Sequence, residues 1–302
     1  MSECIITRRI KTYSTIKFNG YGGIKKVNCT PLSVARDYLS ATHVGDYALF
    51  GGGYGSSSSY YSTVDAYDTS LTSTTPTELS VGRSVLSATH VGDYALFGGG
   101  YDSSYYNTVD AYNTSLTRTT PTALSVARKE LSATHVGNYA LFGGGYVSES
   151  YQSTVDAYNT SLTRSTPTEL SAGRSELSAT HVGDYALFGG GYGSSPVYKS
   201  TVDAYDTSLT RSTPTELSGA RCYLAATHIG NYALFGGGGH IGGHQSTVDA
   251  YNVISSLNLS VYPGNKYKLN NMTEEVEVTE FNNITVSAPV NGYIKLKNSI
   301  VT

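Results

Sequence analysis

One apolar run recurs five times along the chain. Tyr47-Ala48-Leu49-Phe50 returns as Tyr94–Phe97, Tyr139–Phe142, Tyr185–Phe188 and Tyr232–Phe235. No polar residue alternates with the apolar ones, the pattern of a strand covered on both faces. Each run sits inside a longer stretch, first met as Leu39-Ser-Ala-Thr-His-Val-Gly-Asp-Tyr-Ala-Leu-Phe-Gly-Gly-Gly53. Its histidines, His43, His90, His135, His181 and His228, are spaced by 47, 45, 46 and 47 residues. A repeat this regular decides the architecture before any single residue does.

Each repeat reads as four short strands. Strand A is about Leu39 to Val44, and Gly45-Asp46 is a two-residue hairpin turn. Strand B is Tyr47 to Gly51. A loop of variable sequence follows, then strand C, Thr63 to Tyr67. Asp68-Thr69-Ser70 turns the chain into strand D, about Thr74 to Leu79. Four-stranded sheets apolar on both faces must lie between copies of themselves. Arranging them radially gives a β-propeller, with only short, protected edges.

The repeat resembles the kelch family of propellers over roughly Thr30 to Tyr251. The resemblance rests on Arg36, the Gly52-Gly53 pair, Val64-Asp65-Ala66-Tyr67-Asp68 and the returning Arg83. Kelch repeats carry a Trp in strand D. Here those positions are Thr74, Thr119, Ser165 and Ser212, and the chain has no Trp, so packing between blades must differ. The implied fold is all-β: a kelch-like propeller of five four-stranded blades, with six as the alternative.

The ends decide the count. If the N-terminal segment ending at Leu32 is a strand D beside the fifth strand C, five blades close the ring. In the six-blade arrangement Ser256 to Val261 is the fifth strand D, and the terminal strands form a degenerate sixth blade. The organisation expected is an N-terminal extension over residues 1–27, the propeller over 28–255 and a small β-rich module over 256–302. Thr12 to Phe18 reads as a strand in the extension. In the module, Leu257–Val261, Glu275–Val278, Ile284–Val286 and Tyr293–Lys297 alternate with period two. So small a module is marginal alone and is expected to dock on the propeller or on another chain.

Composition narrows the function classes. Charged residues are 14% of the chain and the formal net charge is -3, so no phosphate-tracking surface and no nucleic-acid partner is expected. No apolar segment is long enough for a membrane span, and the N-terminus does not read as a signal peptide. A cytoplasmic or virion-associated location is expected. Three cysteines give no disulfide framework. The Asn-x-Ser/Thr triplets at Asn113 and Asn159 are expected from composition alone.

Several constellations carry possible chemistry. Ser40, His43 and Asp65 suggest acyl transfer. The set recurs with the repeat, and one active site does not need five copies. A fastening inside each blade does, with Asp65 held by backbone amides, His43 or Arg36. Arg36, Arg83, Arg128, Arg174 and Arg221 read either as internal salt bridges and carbonyl clamps or as a guanidinium ring facing an anionic ligand. The triple glycines precede no helix and are not a phosphate cradle. His240 and His244 stand four apart in a unique loop but lack a third metal ligand nearby. Cys222-Tyr223 is the only hint of a galactose-oxidase-like copper centre. No cofactor, metal or catalytic residue is expected.

Variation between copies points elsewhere. It collects in the B–C loop and in the pair after each repeated Arg, which an up-down-up-down blade places at one end. Ten of the 27 tyrosines lie in those loops: Tyr54, Tyr60, Tyr61, Tyr101, Tyr105, Tyr106, Tyr146, Tyr151, Tyr192 and Tyr198. The junction pairs add Tyr38, Glu130, Glu176 and Tyr223, and the fifth loop adds His240 and His244. Tyr among Ser and Gly gives large amphipathic contacts at low entropy cost. The expected function is non-enzymatic binding of a protein or glycan on this face. The alternatives are a kelch-like carbohydrate-active enzyme and a structural or assembly component of a bacterial or phage surface structure.

Overall fold

The computed structural model describes residues 26–253 and the short strands Leu257–Leu259, Lys266–Tyr267, Val276–Glu277 and Ile284–Val286. The repeat unit is an antiparallel sheet in the order A-B-C-D. In blade 1 the strands are Ser40–Val44, Tyr47–Gly51, Val64–Tyr67 and Ser73–Thr74. Blades 2 to 4 repeat it. Blade 5 has three strands among the described residues, Ala225–Ile229, Tyr232–Gly236 and Val248–Asn252. Val44 pairs with Tyr47 across the two-residue turn, where Gly45 adopts φ 52°. That turn type demands a positive φ, which glycine supplies without strain.

The core lies between blades rather than within them. Val44, Leu49, Val64, Ala66, Leu79 and Leu86 form one buried cluster with Ala95, Phe97 and Tyr112 of the next blade. Three further clusters repeat this at the other interfaces. A close approach makes the interface possible. Phe97 lies against Gly51 of the preceding blade, where an added Cβ would stand 2.8 Å from the ring. Phe142, Phe188 and Phe235 use Gly98, Gly143 and Gly189 in the same way. Glycine ends strand B because the neighbour's phenyl ring occupies the space of a side chain.

Strand D is shorter than expected. Only Ser73–Thr74 pairs with strand C, and the chain then crosses to the next blade. There Tyr112 donates its hydroxyl to the Thr77 carbonyl at 2.7 Å, and the Ser80 amide donates to Asp110 at 3.1 Å. The segment ending at Leu32 behaves like these crossovers: Tyr67 donates to the Thr30 carbonyl and the Ser33 amide to Asp65, both in blade 1. It does not pair beside the fifth strand C, so the expected five-blade closure is not found among the described residues. The Thr12–Phe18 and Tyr293–Lys297 strands lie outside the described residues. Leu257–Leu259 and Ile284–Val286 do pair, antiparallel, as do Lys266–Tyr267 and Val276–Glu277.

Candidate functional site

The two variable segments of each repeat are stitched together. Asp37 exchanges backbone hydrogen bonds with Tyr54, and Ser84 with Tyr101, Lys129 with Tyr146 and Cys222 with Gly239 do the same. In blade 4 the partners are Arg174–Ser175 and Tyr192–Gly193. The junctions and the B–C loops therefore form one continuous face, at the opposite end from the A–B turns, which vary only between Gly-Asp and Gly-Asn.

A row of aromatic rings runs along that face. Tyr54 meets Tyr60 at 5.0 Å between centroids, Tyr60 meets Tyr101 at 6.4 Å, and Tyr101 meets Tyr105 at 5.2 Å. The row continues through Tyr146, Tyr151, Tyr192 and Tyr198 to His240. Every ring in it is half-buried. Tyr61 and Tyr106 stand outside the row. Tyr61 covers Gly55, and Tyr106 donates to the Asp102 carboxylate at 2.7 Å. Both are half-buried, as the rings of the row are.

The second residue of each junction forms an inner row. Tyr38, Val85, Glu130, Glu176 and Tyr223 all adopt positive φ, between 48° and 56°, although none is glycine. Each amide from Val85 onward donates to the carbonyl of its counterpart one blade back, at 3.0 to 3.2 Å. This chain of backbone hydrogen bonds holds a conformation that costs about 1–2 kcal/mol for a non-glycine residue. Tyr38 and Tyr223 are 64% and 72% exposed. Tyr223 donates to the Glu176 carboxylate, which raises its hydroxyl pKa. Glu130 pairs with Lys129 at 2.9 Å, and the Lys129 ammonium lies 5.2 Å from the Tyr101 ring centroid and 5.9 Å from that of Tyr146. Val85, Asp102 and Lys129 thus join the face without having been singled out by sequence. Membership of the varying segments was the signal that marked them.

His240 belongs to the end of the aromatic row. Its Nδ1 accepts from the Gly242 amide and its Nε2 meets the Gln245 side-chain amide, each at 2.7 Å. Both ring nitrogens are engaged within the loop, and His244 is exposed on the same loop. Tyr198, Gly219, Ala220, His240 and Gln245 line a shallow cavity of about 240 Å³ between blades 4 and 5. The thiol of Cys222 is buried, and burial with the nearby Glu176 pushes its pKa up to about 11. That keeps the thiol protonated at neutral pH and lowers its reactivity as a nucleophile.

The repeated Arg and Asp are not part of this face. Arg83, Arg128, Arg174 and Arg221 have no exposed surface. Each donates to the strand C Asp of its own blade, as in Arg128 Nη2 to Asp156 at 2.8 Å, and to the strand B carbonyl of Phe142 or its equivalent. The guanidinium ring facing an anionic ligand is therefore excluded by burial. The Asp is held by Arg and by a Ser amide, not by the strand A histidine.

The histidines instead pack on one another. His43, His90, His135, His181 and His228 follow in sequence at 4.0 to 4.2 Å between centroids. They lie on the A strands, which pack side by side from blade to blade. Burial, then the neighbouring imidazoles, lower the His90 pKa to about 4 and that of His135 to about 3. In the unfolded chain these groups protonate near pH 6.5. Their contribution is therefore complete above pH 6.5 and is lost as pH falls towards 4 and 3. Asp65 and Asp249 titrate lower: burial would raise them, but hydrogen bonds from Ser33 and Arg36 in one, and Arg221 and Ser218 in the other, hold them below the usual carboxylate value. Thermal melts should show the midpoint falling between pH 7 and 4.5. His135→Gln should flatten that dependence, and an equal fall in the variant would place the loss elsewhere.

No family model and no curated protein matches the chain. Among solved structures it is similar to one described as "Structure of YjhT", at 13% identity and a TM-score of 0.59, over 72% of this chain and 82% of that one. At that identity the likeness concerns fold alone, and together with the repeated antiparallel sheets it shows an all-β, β-propeller-like architecture.

Proposed function

We propose that the protein is a non-enzymatic recognition module and that its loop face binds a protein partner. The observation that carries this reading is the unbroken row from Tyr54 to His240, half-buried and running across all five blades. Rigid aromatic rings held by their neighbours present contact area with little entropy left to lose. Ser and Gly between them adapt to a partner's outline. Tyr38 and Tyr223 stand proud of the inner row as anchors, since exposed tyrosines are enriched among residues that dominate interfaces. The kelch-like repeat suits this role, because loops on such a scaffold vary while the strands hold still.

The test uses the whole chain on protein and glycan arrays. Tyr38→Ser and Tyr223→Ser touch no core cluster and should leave the melting midpoint unchanged. The pair should weaken a ligand found with the parent chain by tenfold or more, on the order of 1.4 kcal/mol. Unaltered affinity would remove the face from consideration. A ligand found only on the glycan array would replace the protein partner with a carbohydrate.

A further inference from the structure

The third junction holds a cation of the chain's own. The Lys129 ammonium lies 5.2 Å from the Tyr101 ring centroid and 5.9 Å from that of Tyr146, and it pairs with Glu130 at 2.9 Å. Tyrosines from two successive blades and one carboxylate thus receive one ammonium group. The arrangement joins cation–π attraction to a charge-assisted hydrogen bond.

The fourth junction repeats these parts without the cation. Tyr146 stands there where Tyr101 stands in the third, Tyr192 stands for Tyr146, and Glu176 for Glu130. The backbone fixes the correspondence. Ser175 pairs with Tyr192 as Lys129 pairs with Tyr146. Glu130 and Glu176 share a left-handed φ, 56° and 54°, and the Glu176 amide donates to the Glu130 carbonyl at 3.2 Å. A third ring bridges each pair. Tyr105 meets Tyr101 and Tyr146 at 5.2 and 6.4 Å, and Tyr151 meets Tyr146 and Tyr192 at 5.3 and 5.7 Å. Only the cation differs, because Ser175 takes the place of Lys129.

The charge of Glu176 is not balanced from within. It accepts from the Tyr223 hydroxyl, and among the described residues it has no ion-pair partner. Lys199, the lysine of the blade 4 loop, is buried and donates to the Ser194 carbonyl at 2.7 Å. The Tyr151 hydroxyl titrates above its ordinary value through burial first, then Tyr192, Tyr146, Glu176 and Glu130, so both carboxylates act on the aromatic row. The second and fifth junctions each lack a part. Ser84-Val85 brings no carboxylate, and Cys222 pairs with Gly239, which has no ring.

We propose that Tyr146, Tyr192 and Glu176 form a binding site for an ammonium group, and that its occupant is a lysine side chain of the protein partner. This rests on the reading of the loop face as a protein-binding surface and names the chemistry of one of its contacts. The partner's ammonium takes the position that Lys129 takes one blade earlier.

The experiment titrates the full chain, carrying isotope-labelled tyrosine rings, with the blocked peptide acetyl-Gly-Lys-Gly-amide and follows the rings by NMR. The Tyr146 and Tyr192 signals should shift saturably. Ser175→Lys places a cation of the chain's own in the site and should weaken the peptide by about tenfold, the sum of a cation–π contact and an exposed ion pair. Glu176→Gln keeps an acceptor for Tyr223 and should weaken it about threefold. It carries the test if melting shows that Ser175→Lys does not fold. The same peptide with its lysine acetylated, and so uncharged, should leave both rings unmoved. Rings that do not respond to the lysine peptide, or that respond equally to the acetylated one, would overturn the proposal. A partner from the arrays that is lost with Tyr38→Ser and Tyr223→Ser but binds Ser175→Lys undiminished would overturn the lysine site and leave the face standing.

Discussion

Asp156→Ala is expected to lower stability by about 3–5 kcal/mol, the cost of leaving a buried charge without its partner. Asp156 has no exposed surface and accepts from Arg128, Arg164, the Ser125 amide and the Ser125 hydroxyl, at 2.8 to 3.2 Å. Removing it strands the Arg128 guanidinium inside blade 3, where water does not reach. For a chain of this size the melting midpoint should drop by on the order of 10 °C. Arg128→Met combined with Asp156→Leu should recover part of the loss, because no buried charge remains. Recovery cannot be complete, since the Ser125 amide and the Phe142 carbonyl lose partners. Calorimetry of the three proteins distinguishes the cases. If the double variant is no better than Asp156→Ala, uncompensated charge is not the cause. Hydrogen exchange should show the loss spreading from blade 3 to its neighbours, because a repeat array depends on its interfaces.

The strands A, B and C were legible because their signals are local. Gly45 forces the hairpin, the Tyr47–Phe50 run shows coverage on both faces, and the glycines mark the exit of strand B. Strand D was misjudged because only Ser73–Thr74 pairs with strand C; beyond it the segment spans two blades, with the Leu79 amide donating to Ser62 of blade 1 and the Thr77 carbonyl accepting from Tyr112 of blade 2. The role of the repeated Asp was legible in kind, as an internal fastening, but not in partner. Arg36, His43 and backbone amides were equally near in sequence terms, and only the fold shows Arg and Ser to be the donors. The contact of one histidine with the next depends on how closely neighbouring A strands approach, a distance that no single repeat encodes. The inner row was legible only as variation. Nothing in Tyr38, Val85, Glu130, Glu176 or Tyr223 announces a positive φ, since the conformation is imposed by bonds to the next blade.

Gly144→Ala should be nearly as damaging as loss of the Asp, for a reason that involves no charge. Gly144 adopts φ 71°, and a Cβ there would stand 2.6 Å from the Arg174 carbonyl oxygen and 2.9 Å from Leu177 of the next blade. The left-handed conformation alone costs an alanine about 1 kcal/mol. The carbonyl cannot rotate aside as a side chain would, because it accepts from the Gly145 amide at 2.8 Å. Blades 3 and 4 must therefore separate, loosening the cluster that contains Phe188 and Leu177. Together these effects should cost about 2–4 kcal/mol, within the range for overpacking a close contact plus backbone strain. Gly219→Ala is the matched comparison, since an added Cβ there meets nothing within 4 Å. It should leave denaturant midpoints unchanged or slightly raised. Equal effects at the two positions would mean that glycine entropy, rather than the approach of neighbouring blades, governs stability. The same closeness explains why the scaffold segments scarcely vary between copies while the loops above them do: a methyl group is already too much at the interface, whereas at the loop face a change of side chain meets solvent or a ligand.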